Sequence, residues 1–226
     1  DKNMPDALEH LDEDEKKIFQ QVAGCCQHFA LDRILEKYSI KEIMKGMAKP
    51  QRRHWAMLKR AVRYMVSHPE MSYKFEYGRM TDQVIVLVDG DWAGDKETRR
   101  STSSGFEFLA EHIVNDYATT QGLVALSSTE SEYHAAVLDA GHGLLTRNIL
   151  RELNYPIKMV VIVSDSTGAR GVVMRQGGGK IRHLEARDLW LQDYAKRGEV
   201  RVEKVATDEN CADLGTKYLS KAKNEY

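Results

Sequence analysis

Three cysteines among 226 residues, Cys25, Cys26 and Cys211, are too few and too poorly spaced for a disulfide framework, a CxxC redox pair or a zinc site. A reducing compartment is the default for such a chain. No apolar run approaches the length of about 18 residues that a membrane span needs, and no charged-then-apolar leader precedes the first helical pattern. The opening Asp1-Lys2-Asn3-Met4 reads as a cut from something longer. Net charge is nearly absent as well. With 33 basic and 34 acidic residues the balance is −1, so any nucleic-acid footprint must be local. Internal repeats and low-complexity tracts are also missing. What remains is 42% hydrophobic and 30% charged, ordinary for a folded chain, and long enough for one large domain or one domain plus an appendage.

Residues 1 to about 80 carry helical periodicity. The acidic run Leu11-Asp12-Glu13-Asp14-Glu15 leads into Ile18, Phe19, Val22 and Ala23 at three- and four-residue intervals. After Pro50, Trp55, Leu58, Ala61, Val62 and Met65 repeat on one face, while Arg52, Arg53, Lys59, Arg60 and Arg63 fill the rest. Tyr73, Phe75 and Tyr77 alternate with polar residues, which predicts a half-exposed strand from Ser72 to Gly78. From Val84 short apolar runs predict strands at Val84–Val88, Gly105–Leu109, Gly122–Leu126, Met159–Val163 and Val200–Val205. Long helices are predicted from Thr129 to Leu153 and from Leu184 to Arg197, and a last one from near Asp208.

Two of these strands finish in aspartate, at Asp89 and Asp165. In α/β sheets ligands gather at the carboxyl ends of strands, so two such aspartates on adjacent strands would converge. Paired carboxylates repel unless a cation lies between them, and magnesium, which prefers oxygen ligands, suits such a place. Each aspartate also has a plainer reading as a turn or capping residue, and Asp91 is not placed in the site. Glu130 and Glu132 both match capping-box spacing, with Ser127 and Thr129 respectively. Glu132 lies on the stripe of Ala136 and Ala140, whose small side chains allow close approach to a sheet, so it is the one expected to face the sheet. Asp213 stands in the first turns of the last predicted helix, where the helix dipole favours carboxylates.

Taken together, the motifs resemble the ribonuclease H domain of copia-type LTR retrotransposon Pol polyproteins. The first is Val88-Asp89-Gly90-Asp91-Trp92-Ala93-Gly94-Asp95 with Arg99-Arg100-Ser101-Thr102-Ser103-Ser104-Gly105-Phe106, and the second is Val124-Ala125-Leu126-Ser127-Ser128-Thr129-Glu130-Ser131-Glu132-Tyr133. The third is Val163-Ser164-Asp165-Ser166, and the fourth is Asp208-Glu209-Asn210-Cys211-Ala212-Asp213-Leu214 with Thr216-Lys217. The match runs from about 82 to 221. Residues 1–80, through His54-Trp55-x-x-Leu58-Lys59-Arg60-x-x-Arg63-Tyr64, are similar to the thumb or connection segment that precedes ribonuclease H in the same polyproteins. The Tyr-x-Asp-Asp polymerase motif is absent.

The resemblance implies an α/β, ribonuclease H-like fold, a five-stranded mixed sheet flanked by helices, preceded by a small helical segment. It implies an endonuclease that hydrolyses the RNA strand of RNA–DNA hybrids during reverse transcription. Asp89, Glu132, Asp165 and Asp213 would hold two Mg2+ ions about 4 Å apart, with Mn2+ able to substitute and Asp89 bridging. Arg99, Arg100, Lys180, Arg182, His183 and Arg187 are the implied nucleic-acid contacts, and the reverse transcriptase portion of the polyprotein is the implied protein partner. The resemblance also implies no membrane and a setting in the cytoplasm or a virus-like particle. The segment between Leu109 and Gly122 departs from the family, which has a glycine hairpin there, and Ser104 is an insertion. One rival is a catalytically inactive nucleic-acid-binding or assembly module. Another, a transposase or integrase of related fold, would need a late acidic ligand such as Glu199.

Overall fold

The computed structural model describes residues 6–78, 81–177, 179, 184 and 188–218. The chain divides into two compact units, one ending at Lys74 and the other beginning at Phe75.

The first unit is helical: α1 (Glu13–Phe29), α2 (Ile34–Met44) and α3 (Arg52–Ser67). The start of α1 follows from Asp12, whose carboxylate accepts from the backbone of Asp14 and Glu15 while Glu15 reaches back to the Asp12 N–H. Phe19, Ala23 and Cys26 of α1 meet Ile40, Ile43 and Leu58 in a core that the other two helices complete. The apolar stripe of α3 packs here as its periodicity predicts, with Trp55, Ala61, Val62 and Met65 against the same core. The strand expected from Ser72 to Gly78 does not form. No ladder forms there among the described residues, and Tyr73, Phe75 and Tyr77 are all exposed, so the alternation is not matched by burial of one face.

In the second unit β1 (Gln83–Gly90), β2 (Thr102–Leu109), β3 (His112–Thr120), β4 (Met159–Ser164) and β5 (Val200–Lys204) form one sheet in the order β3-β2-β1-β4-β5. The β3-β2-β1 side is antiparallel and the β1-β4-β5 side parallel, giving a mixed five-stranded sheet. The helices α4 (Ser128–Glu152), α5 (Thr167–Val173) and α6 (Trp190–Lys196) flank it. Val84, Val86 and Val88 project from β1 into a core with Tyr133, Ala136, Ala140 and Leu144 of α4. Each buried valine stabilises by about 1.5–3 kcal/mol. Gly143 lets α4 lie this close, since a Cβ there would stand 2.7 Å from Val160 Cγ1 and 3.0 Å from Val86 Cγ2.

The third strand is His112–Thr120, not Gly122–Leu126. The apolar 122–126 run is the loop entering α4, where the Leu126 N–H donates to Glu130 Oε2 at 2.7 Å. The segment after β5 does not become an α-helix within the described residues; it makes 3-10 turns at Thr207–Glu209 and Cys211–Gly215. Asn210 between them caps the second turn by accepting from the Ala212 N–H. Of the helix expected over Leu184–Arg197, the described part is Trp190–Lys196.

Candidate metal centre

The parallel pairing of β1 and β4 sets Leu87 opposite Val163, so Asp89 and Asp165 each lie two residues further on, side by side at the carboxyl ends of neighbouring strands. Asp89 is buried and Asp165 half-buried. The first turn of α4 crosses directly over the end of β1. A Cβ on Gly90 would stand 2.7 Å from the Ser131 carbonyl oxygen, so glycine is what permits the crossing. This approach delivers Glu132, whose Oε2 accepts from the Gly90 N–H at 3.2 Å. Ser131 Oγ donates to the Asp91 carbonyl in the same contact. Asp89, Glu132 and Asp165 each offer a ligand oxygen, and these oxygens lie within 4.8 Å of one another.

Burial pushes the Glu132 carboxyl up to about 8, helped by the charges of Asp89 and Asp165 and opposed by the Gly90 N–H and Lys217. Burial likewise raises Asp89, against the Thr216 hydroxyl and Lys217 that favour its ionised form. Crowded carboxylates that resist ionisation are what a hard divalent cation would relieve, and an all-oxygen donor set suits magnesium or manganese. The residues present fit such an ion.

Asp213 is placed differently. It is buried in the 3-10 turn after Asn210, whose Nδ2 donates to the Val88 carbonyl at 3.0 Å and so ties this turn to the end of β1. Asp213 stands outside the three-oxygen group among the described residues. Its Oδ1 accepts from Lys217 Nζ at 2.6 Å, and the same ammonium lies 3.7 Å from Asp89 Oδ2. Thr216 Oγ1 donates to that same Asp89 oxygen. Burial lowers the Lys217 pKa, but the Asp213 hydrogen bond and the charges of Asp89, Asp213 and Asp165 outweigh it and the net shift is upward. Asn210, Thr216 and Lys217 were visible in the sequence only as parts of a motif; nothing local announced their contacts with β1.

The remaining expected residues fall as follows. Glu130 turns away from the cluster, accepting from Leu126 and standing 3.5 Å from His134 Nε2. Asp91 accepts the Thr102 N–H and so braces the β1–β2 connection. Arg99 and Arg100 are exposed on that connection. Lys180, Arg182, His183 and Arg187 lie outside the described residues. Glu199 pairs with the buried Arg147 at 3.1 Å, which gives it a role in neutralising that guanidinium and not in holding a metal. In α3, Arg52 is engaged by Glu15 at 2.6 Å. No helix among the described residues is long and apolar enough to cross a membrane.

The strand order, the register and the acidic ends of β1 and β4 define a ribonuclease H-like fold with a carboxylate centre. The chain is similar to retrovirus-related Pol polyproteins of transposons. The one from transposon RE2 of Arabidopsis thaliana is 27% identical over 205 residues, which is 90% of this chain and 14% of the relative. The chain therefore spans about one-seventh of that polyprotein's length. A secreted RxLR effector protein 161 of Plasmopara viticola is 45% identical over 83 residues, 36% of this chain and 57% of that protein. No protein-family model matches. Among solved structures, the compost-derived LC11 ribonuclease H1 shares 13% identity at a TM-score of 0.42, covering 60% of this chain and 94% of its own.

Proposed function

We propose that this chain is the ribonuclease H portion of a retrotransposon Pol polyprotein and that it hydrolyses the RNA strand of RNA–DNA hybrids. The observation that carries this reading is the convergence of Asp89, Glu132 and Asp165, with ligand oxygens within 4.8 Å, at the carboxyl ends of β1 and β4. Similarity to Pol polyproteins supports this reading, whose setting would be the cytoplasm or a virus-like particle. Residues 1–80 are read as a remnant of the polymerase's thumb or connection, with the polymerase itself as the protein partner.

Magnesium held by the three carboxylates, with manganese able to replace it, would activate a water and offset charge on the scissile phosphate. The chain's own residues position that chemistry. The Gly90 N–H aims Glu132 at the cluster, and Asn210 anchors the Asp213 turn against β1. Hybrid would be recognised by backbone shape and 2′-hydroxyls, with Arg99 and Arg100 and, by resemblance, Lys180, Arg182, His183 and Arg187 on phosphates. The test is incubation with Mg2+ of labelled RNA–DNA hybrid, RNA–RNA and DNA–DNA duplexes of one sequence. Cutting confined to the RNA of the hybrid is expected; binding without cutting by the folded chain supports the inactive module instead.

A further inference from the structure

Lys217 is the one described lysine placed between two of the four carboxylates that the motifs single out. Its Nζ is 2.6 Å from Asp213 Oδ1 and 3.7 Å from Asp89 Oδ2. Asp89 Oδ2 is also the oxygen that accepts the Thr216 hydroxyl. For Asp89 to bridge two metal ions, with Asp213 completing the second, that oxygen would have to give up both contacts and Asp213 would have to release an ammonium. Asp89, Glu132 and Asp165 form their group without Asp213. The centre thus has two halves: three carboxylates facing one another on one side, and a carboxylate already neutralised by a cation of the chain on the other.

From this geometry we infer that Lys217 is the resident second cation of the centre, so that the chain takes one divalent ion among Asp89, Glu132 and Asp165, and Asp213 serves to hold Lys217. The inference rests on the metal-centre reading above. Lys217 is half-exposed, at 45% of its side-chain surface, so its side chain is within reach of solvent beside Asp89 and Asp213. There it would meet the scissile phosphate directly, supplying by hydrogen bond and charge what a second ion would otherwise supply. Thr216, packed beneath, is a positioning residue: its hydroxyl fixes the Asp89 oxygen nearest Lys217.

The experiment counts Mn2+ bound per chain by electron paramagnetic resonance titration, without substrate, for the full wild-type chain and for Lys217→Met, Lys217→Gln and Lys217→Arg, with folding checked by circular dichroism. The inference predicts one Mn2+ for wild type and Lys217→Arg. For the two neutral variants it predicts a second Mn2+ bound at least about tenfold more tightly than any second ion in wild type, since an opposing charge has left the carboxylates. Two Mn2+ on the wild-type chain overturn it, as does an unchanged count in whichever neutral variant folds. Because the count needs no hybrid, a chain that fails to cut hybrid but binds one Mn2+ refutes the nuclease reading alone. A wild-type chain that binds no Mn2+ refutes the metal centre and this inference with it.

Discussion

Glu132 contributes to how the metal-free protein responds to pH. Its carboxyl is raised from the ordinary glutamate range to about 8 in the fold, chiefly by burial. The folded state therefore holds a proton that the unfolded chain releases earlier. That stabilising contribution is complete below the unfolded value and is lost as pH climbs through about 8. In EDTA, Tm should fall between pH 5 and 8, and Glu132→Gln should flatten much of the decline. Asp89 and the buried Asp139 are raised too and add the same sign, so part of the slope should persist in that variant. A thermal melt series across this range checks it; a wild-type Tm that rises with pH would refute the assignment. At Gly90 the expected effect is steric. An alanine Cβ would sit 2.7 Å from backbone oxygen and 3.1 Å from the Glu132 Cα, neither of which can rotate away. Gly90→Ala should cost about 1–3 kcal/mol in urea unfolding and move Glu132 off the cluster, lowering hybrid cleavage.

Among the elements, the β2–β3 hairpin carries visible strain. Its two-residue turn begins at Ala110, whose φ of 56° belongs to the region glycine favours. Ala110→Gly should therefore raise stability by about 1 kcal/mol, measured by denaturant titration, whereas a loss would mean that the turn is not held in this conformation. The same hairpin shows why the sheet was only partly legible. β1 and β4 were readable because buried strands are near-continuous apolar runs, β5 because its valines alternate with charged residues, and α4 because its small-residue stripe is periodic. β3 is an edge strand, half-buried and interrupted by Asn115 and Asp116, so it lacked that signature, while the apolar 122–126 loop imitated it. The aspartates at the strand ends and the choice of Glu132 over Glu130 could be argued from periodicity. The placement of Asp213 and Lys217 beside Asp89 could not, because it depends on Asn210 returning to the Val88 carbonyl from far along the chain.

At the scale of the whole molecule the cluster couples metal binding to folding. Three carboxylates brought together at a cost in the metal-free state should gain stability when a cation joins them. Saturating Mg2+ should raise Tm, more at pH 8 than at pH 5, where protonated carboxyls compete with the ion. An identical Tm with Mg2+ and with EDTA at pH 8 would mean that no ion enters. The central claim is that these carboxylates perform hydrolysis, and the most direct measurement is single-turnover cleavage of a 5′-labelled RNA–DNA hybrid by the wild-type chain and by Asp165→Asn. Losing a residue that merely supports a metal ligand costs about 10- to 100-fold, so loss of a ligand should cost more. Wild type should cut in a Mg2+-dependent way that ends in EDTA, and folded Asp165→Asn should cut more than about 100-fold more slowly; undiminished cutting by that variant would rule out the carboxylates as the catalytic centre.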